Sequence, residues 1–342
     1  MKTYLDYINE KTFTFLIIFT MFAIPSFELI GNLFGMKYFF QEQIISILGL
    51  INAYIILFHF IKKIFKKQKF NFVLSDFFII LCFVFCIISL IFSNNFYKSF
   101  LGEYAYSETI FNVICYFSLF ILSTLIKKEE NKNKIFKSFI ILCIFETLIA
   151  FLQNFNIWPI SSFFDTSSHI NGHFAFGLTQ HCNFYAGLSI IFTGISAGAY
   201  MYKKEHNNFY LILTCLACFG TLFTYTRIAW VGIFSILFII GIIEFIITKK
   251  KTPVDFSENI KKFLLLIALF IICFLITGIS SGQLIRDFNN TKNEFSDFES
   301  IGTNRGRIWK VGLYSLQFDP LTGVGFDDYR HAYELYPTHY DK

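Results

Sequence analysis

The chain has 342 residues, of which 55% are hydrophobic and 15% charged, with a formal net charge of +5. A soluble domain averages roughly 45–50% apolar and roughly 25% charged residues, so a soluble globular fold is excluded. The positive charge lies in short loops between apolar runs and forms no basic stripe on a soluble face, which excludes a nucleic-acid reader.

Nine apolar runs follow in chain order, at roughly 13–30, 44–61, 77–94, 109–126, 135–153, 183–202, 209–225, 228–247 and 263–280. About 20 helical residues, rising 1.5 Å each, cover the ~30 Å of a bilayer's hydrocarbon. The first run lacks a small-residue cleavage site and opens a series, so it reads as a span and not as a cleaved signal peptide. The expected fold class is therefore all-α, a polytopic membrane helix bundle of nine spans with a long extracytoplasmic loop containing an amphipathic helix. Two parts are expected: 1–176, the N-terminal spans and first long outer loop, and 177–342, spans six to nine with the second.

Basic residues set the expected orientation. The N-terminus and alternate loops carry Lys2 and Lys11, then Lys62, Lys63, Lys66, Lys67 and Lys69, and later Lys249, Lys250, Lys251, Lys261 and Lys262. The opposite loops up to the ninth span carry Lys37, Lys98 and Arg227. This asymmetry places the N-terminus in the cytoplasm and residues after Ser280 outside it. Of the eight cysteines, Cys182 alone lies near the outer surface. Cys215 and Cys218 form a C-x-x-C inside an apolar helix with no nearby histidine, so they read as small hydrophobes, and no disulfide framework is implied.

Two outer loops are long. Residues 154–182 carry Trp158, Phe163, Phe164, Phe174 and Phe176; residues 281–342 carry Trp309, Tyr314, Phe318 and Phe326. So much aromatic surface predicts packing on the membrane face and not a solvated linker. Within the second loop, Asn304–Phe318 reads as an amphipathic helix. Trp309, Gly312, Leu313 and Leu316 form its apolar stripe, and Arg305, four residues before Trp309, heads that face, which is expected to be buried. Asp319-Pro320 ends the helix, and Gly323 and Gly325 permit a tight turn. The chain closes on the polar YPTHYDK after an odd number of spans, from which further spans are expected to follow.

Few residues in this background can carry chemistry. Arg227 stands in Thr224-Tyr-Thr-Arg-Ile-Ala-Trp at the outer boundary between the seventh and eighth spans. A charge at that depth faces a cavity or a partner, and the guanidinium fork matches phosphate oxygens. The competing reading is an interfacial arginine snorkelling beside Trp230. Arg305 and Arg307 read either as a diphosphate clamp that stabilises a departing phosphate or as a basic helix start on lipid headgroups. Gln180 and Asn183, entering the sixth span, either bond sugar hydroxyls or cap the helix; Trp309 joins them as a candidate for substrate contact. His339 is a candidate general base or an ordinary loop histidine. His169, His173 and His181 share a loop at spacings that fit no tight metal motif, so no metal site is expected. Glu28 and Glu146, the intramembrane acids, read as internally paired.

Three segments carry a family resemblance. Gly177-Leu-Thr-Gln-His-Cys-Asn-Phe-Tyr-Ala-Gly-Leu188 resembles a Gly…Asn-x-x-Ala segment entering a span. Thr224-Tyr-Thr-Arg-Ile-Ala-Trp-Val-Gly232 resembles a Ser/Thr-Arg-x-Ala-Trp segment. RGRIWKVGLYSLQFDPLTGVG, ending at Gly325, resembles an outer-loop signature of Arg-x-x-x-Trp followed by Pro-Leu-x-Gly-x-Gly. Together they look like the O-antigen ligase and O-antigen polymerase family of bacterial membrane glycosyltransferases. The likeness covers about 177–342; the first five spans match only as generic hydrophobic helices.

The resemblance implies metal-independent transfer of a glycan from an undecaprenyl-diphosphate carrier to a glycan or glycolipid acceptor hydroxyl, without a cofactor, at the extracytoplasmic face of the bacterial inner membrane. Carried over by position, Arg227 takes the first diphosphate-binding role, and Arg305 fits the second better than Arg307. The family histidine stands in a His-Asn pair after an Asp-Lys-Ala-like run. Here Asp341-Lys342 ends the sequence, so that base is expected beyond Lys342, with His339 as a neighbour. Convergence of Arg227 and Arg305 within a few ångströms on one cavity would add weight to this reading, and wide separation would sink it. Two other functions fit a polytopic chain: a polysaccharide or lipid transporter, and a membrane component that binds glycan lipid without chemistry. Mostly unbroken apolar spans, with polarity gathered at the outer surface, favour the enzyme over a transporter built from interrupted helices.

Overall fold

The computed structural model describes residues 9–33, 39–68, 74–93, 95–101, 109–155, 157, 175–179, 181–203, 206–248, 253–281, 301–317, 320 and 333. Every regular element among them is helical: α1 Glu10–Leu33, α2 Phe39–Phe65, α3 Leu74–Ile91, α4 Phe96–Leu101, α5 Ile110–Thr124, α6 Glu129–Asn154, α7 Cys182–Tyr202, α8 Asn207–Leu222, α9 Arg227–Thr248, α10 Pro253–Ser281 and α11 Ile301–Ser315. The protein is thus an all-helical membrane bundle, and each of the nine expected spans coincides with a helix. Seven are long and apolar enough to cross a membrane. The other two, α5 and α8, are 15 and 16 residues long, which is about 22–24 Å of helix. Thr109, whose Oγ1 accepts from Asn112 N–H at 3.4 Å, starts α5 late, and His206 in a left-handed conformation starts α8.

Outward faces are as apolar as inward ones. Phe15, Phe78, Phe145, Phe238, Phe245 and Leu264 are among many large side chains left exposed by the protein. A soluble protein rarely exposes such contiguous apolar surface, whereas lipid accepts it. What the helices bury against one another is smaller and more polar: Thr20, Asn52, Ser118, Ser189, Thr193 and Thr221 are all buried. That is the packing expected where lipid removes the hydrophobic drive between helices and close approach must replace it.

The chain divides into two compact units. The first comprises Met1–Phe27, Met36–Phe136 and Asp287–Lys342. In it α2 packs along α5, closely enough that a Cβ on Gly49 would come within 2.8 Å of Cys115 Cβ. Phe13, Leu16, Ile56, Leu122 and Ile126 form one core; Leu90, Ile110 and Val113 form another. The carboxylate of Glu10 accepts from Lys127 N–H at 3.0 Å, Lys128 N–H at 2.6 Å and Asn131 Nδ2 at 3.1 Å, so the first helix caps the start of α6. An apolar cavity of about 280 Å³ lies between α2, α3 and α5.

The second unit comprises Glu28–Gly35 and Lys137–Arg286. Here α8 packs along α7 and against α10, and α9 packs on α7. A seam of hydroxyls joins α7 to α8: Thr193 Oγ1 lies 3.0 Å from Thr221 Oγ1, and each also lies 2.8 Å from a carbonyl of its own helix, Ser189 O and Ala217 O, so that one hydroxyl can donate across while the other donates back. Cys218 and Cys273, with Cys215 packed against them, sit in the core between α8 and α10, which agrees with their reading as small hydrophobes.

Candidate functional site

Four helix ends of the second unit frame a short irregular strap, Ala175–Thr179. Ala175, Phe176 and Leu178 are buried. Backbone without helical bonding is tolerated at this depth only where protein satisfies it, and α6 does so. Gln153 Oε1 accepts from Phe176 N–H at 3.0 Å and from Gly177 N–H at 2.9 Å, while its Nε2 donates to Gly177 O at 2.8 Å. Two turns back on the same helical face, Glu146 Oε2 accepts from Leu178 N–H at 2.7 Å. Ala150, fully buried between them, lets Ala175 approach. Gly177 has φ +57°, and a Cβ there would collide with Glu146 Oε2 and come within 2.9 Å of the Tyr185 ring. This is the reason for glycine at the head of the first motif.

The strap's other edge holds α8. Ala175 N–H donates to Phe223 O at 3.1 Å, and the Phe223 ring packs against Phe151, Phe155 and Phe219. Phe223 opens the turn into α9. Thr224 Oγ1 donates to Thr221 O at 2.7 Å and lies 3.0 Å from Thr226 Oγ1. Tyr225 follows at φ +48°, a strained conformation for a bulky residue. Thr226 O then accepts from Ala229 N–H at 3.1 Å, and Arg227 is the first residue of α9, half-buried, where the helix carries a partial positive charge. Trp230, one turn on, meets Phe274 of α10 edge to face at 5.2 Å.

The first two motifs are thereby packed together. Tyr185 of the first lies in one core with Ala175 and Phe223, and the close approach of Gly232 to Ile190 fits α9 to α7. His181 caps α7: its Nδ1 accepts from Asn183 N–H at 3.1 Å. Asn183 is half-buried in the first turn. Gln180 lies outside the described residues, as do His339, His169, His173, Trp158-Pro159 and the Gly323–Gly325 turn, and so do the side chains of Glu28 and Phe318. Glu146 pairs with the Leu178 backbone, an internal partner that its reading anticipated in kind but not in identity.

The third motif lies on α11, in the first unit, and corrects one expectation. The helix spans Ile301–Ser315, where 304–318 was expected. Its apolar stripe is exposed: Trp309 is 55%, Leu313 67% and Leu316 48% accessible. Val311 and Ser315, four residues apart, are buried instead. Arg305, on the stripe's side, is exposed, and so is Arg307. The physical reason is that the small Val311 and Ser315 permit close approach on the side facing protein, which leaves the bulky side chains outward. Arg305 and Trp309 therefore share an outward face.

Fold and site together define a polytopic helical membrane protein with an arginine at a helix start, in a turn whose first residue, Phe223, is bonded to a buried polar strap. Residues 211–342 match the family model described as O-antigen ligase, a stretch that takes in Arg227, Arg305, Arg307 and Trp309. No curated protein and no solved structure matches the chain. Sequence reasoning missed Gln153 and the strap's role for Glu146. The one available signal was an acid and an amide seven residues apart, on one face of an otherwise apolar helix.

Proposed function

We propose that this protein is a membrane glycosyltransferase that transfers or polymerises a glycan from an undecaprenyl-diphosphate donor onto an acceptor hydroxyl in cell-surface polysaccharide synthesis. The family match indicates an O-antigen ligase-type role in such synthesis in a bacterial membrane. The observation that carries the finer reading is Arg227, set at a helix N-terminus by a strained, hydroxyl-tied turn within the matched region. A guanidinium there adds its fork of donors to the partial positive charge of the helix N-terminus, a combination suited to phosphate oxygens.

In this reading the acceptor oxygen attacks the anomeric carbon of the donor sugar. The bond from that carbon to the phosphate oxygen breaks, and the lipid diphosphate departs with the electron pair. Arg227 and Arg305 stabilise the charge that develops on it, which is how the reaction proceeds without a metal. A histidine base takes the acceptor's proton; His339 is the candidate in this sequence. Arg307 is a secondary diphosphate contact. Gln180, Asn183 and Trp309 contact sugar. The catalytic part is 177–342, with its site on the extracytoplasmic face of the inner membrane.

The test is transfer of a lipid-linked glycan in membranes carrying full-length variants. Arg227→Ala and Arg305→Ala each lower the transfer rate by about 100-fold or more, with unchanged insertion. Retention of bond formation in both variants would sink the enzymatic reading and favour a glycan-lipid binder; loss of flux with intact bond formation would indicate a transporter.

A further inference from the structure

The strap joins two features that the sequence motifs leave unconnected, the end of α6 and the turn that carries Arg227. We propose that Glu146 and Gln153 are positioning residues for Arg227, acting through Ala175–Leu178. The inference rests on reading Arg227 as a diphosphate ligand.

On one edge, Gln153 engages both backbone groups of Gly177 and the N–H of Phe176, and Glu146 engages Leu178 N–H. On the other, Ala175 N–H holds Phe223 O, four residues before Arg227. Glu146 and Gln153 are 1% and 2% exposed, so neither can exchange its strap contact for solvent. The turn between Phe223 and Arg227 has little freedom, since Tyr225 is in the left-handed region and Thr224 bridges Thr221 to Thr226. A shift of the strap therefore moves Phe223 and, with it, the first residue of α9.

Polarity on α6 is otherwise hard to explain. A carboxyl and an amide within a span are costly, and Glu146 Oε1 finds no partner among the described residues. An apolar pair would pack α6 as well, but would leave four strap backbone groups unsatisfied and the strap unplaced. Neither residue lies in the matched stretch 211–342, so a family-level comparison over that stretch passes over both.

The test measures binding of undecaprenyl diphosphate to the purified full chain in nanodiscs. Gln153→Ala and Glu146→Leu each weaken binding by about tenfold, whereas Glu146→Gln, whose amide oxygen still accepts from Leu178 N–H, stays within about twofold. In an Arg227→Ala background, Gln153→Ala changes the remaining affinity by less than about twofold, because the group it positions is gone. The same tenfold loss in that background overturns the positioning role. So does wild-type affinity in Gln153→Ala while Arg227→Ala loses binding, an outcome that leaves the diphosphate reading of Arg227 intact. Wild-type affinity in Arg227→Ala overturns that reading and this one with it. Where Gln153→Ala does not fold, Gln153→Glu, which keeps the two acceptor contacts and loses the donor to Gly177 O, runs the same cycle.

Discussion

Gly177 and Tyr225 hold backbone conformations with positive φ for opposite reasons. At Gly177 the conformation is free and the space is not; at Tyr225 the side chain fits and the backbone is strained. Gly177→Ala should therefore lose about 2–3 kcal/mol from combined backbone strain and collision with Glu146, read as a drop in Tm of detergent-solubilised protein. An unchanged Tm would show that the strap yields easily. The candidate site was partly legible at this scale. The Arg227 segment stood out because a lone arginine between apolar runs is rare. Gln153 did not, because its partners lie 23 and 24 residues away and no local pattern announces a side chain that bonds a distant loop. Asn183 offered itself as a cap by residue type, yet the imidazole of His181 took the N-cap position, a role for which histidine is not a preferred residue.

Helices were legible where apolar length alone decides, and their faces were not. In water an apolar stripe marks the buried side. On α11 the rule fails: Trp309, Leu313 and Leu316 face out while Val311 and Ser315 permit close packing, an arrangement that would cost nothing beside lipid. The same reasoning gives meaning to the seam between α7 and α8, whose hydroxyls would look like defects in a soluble core. Thr193→Val and Thr221→Val, singly and together, should give a coupling energy of about 0.6 kcal/mol in a double-mutant unfolding cycle. A coupling indistinguishable from zero would mean that the two hydroxyls serve only their own helices. At Gly49 the limit is steric. Gly49→Leu should separate α2 from α5 and lower the yield of folded protein, since any Cβ there already crowds Cys115.

The orientation proposed for the whole molecule rests on charge. On the proposed topology, a membrane-impermeant maleimide labels Tyr97→Cys in intact spheroplasts and Lys128→Cys only after lysis; the reverse pattern would invert the bundle and move Arg227 to the cytoplasmic side. Division into two units could not be read from hydropathy, since it depends on which helices meet and every helix is apolar. It also assigns one early helix to partners made much later. Glu10 bonds Lys127, Lys128 and Asn131, with sequence separations of 117 to 121 residues. At translation rates of roughly 5–20 residues per second, those partners leave the ribosome on the order of 10 s after Glu10 does. During that interval α1 already sits in the bilayer with its carboxylate uncommitted and Phe13 and Leu16 waiting for α5. The nascent first span is thus a lodger in lipid before it is part of a bundle, and whatever shields its polar end in those seconds governs how many chains reach the finished fold.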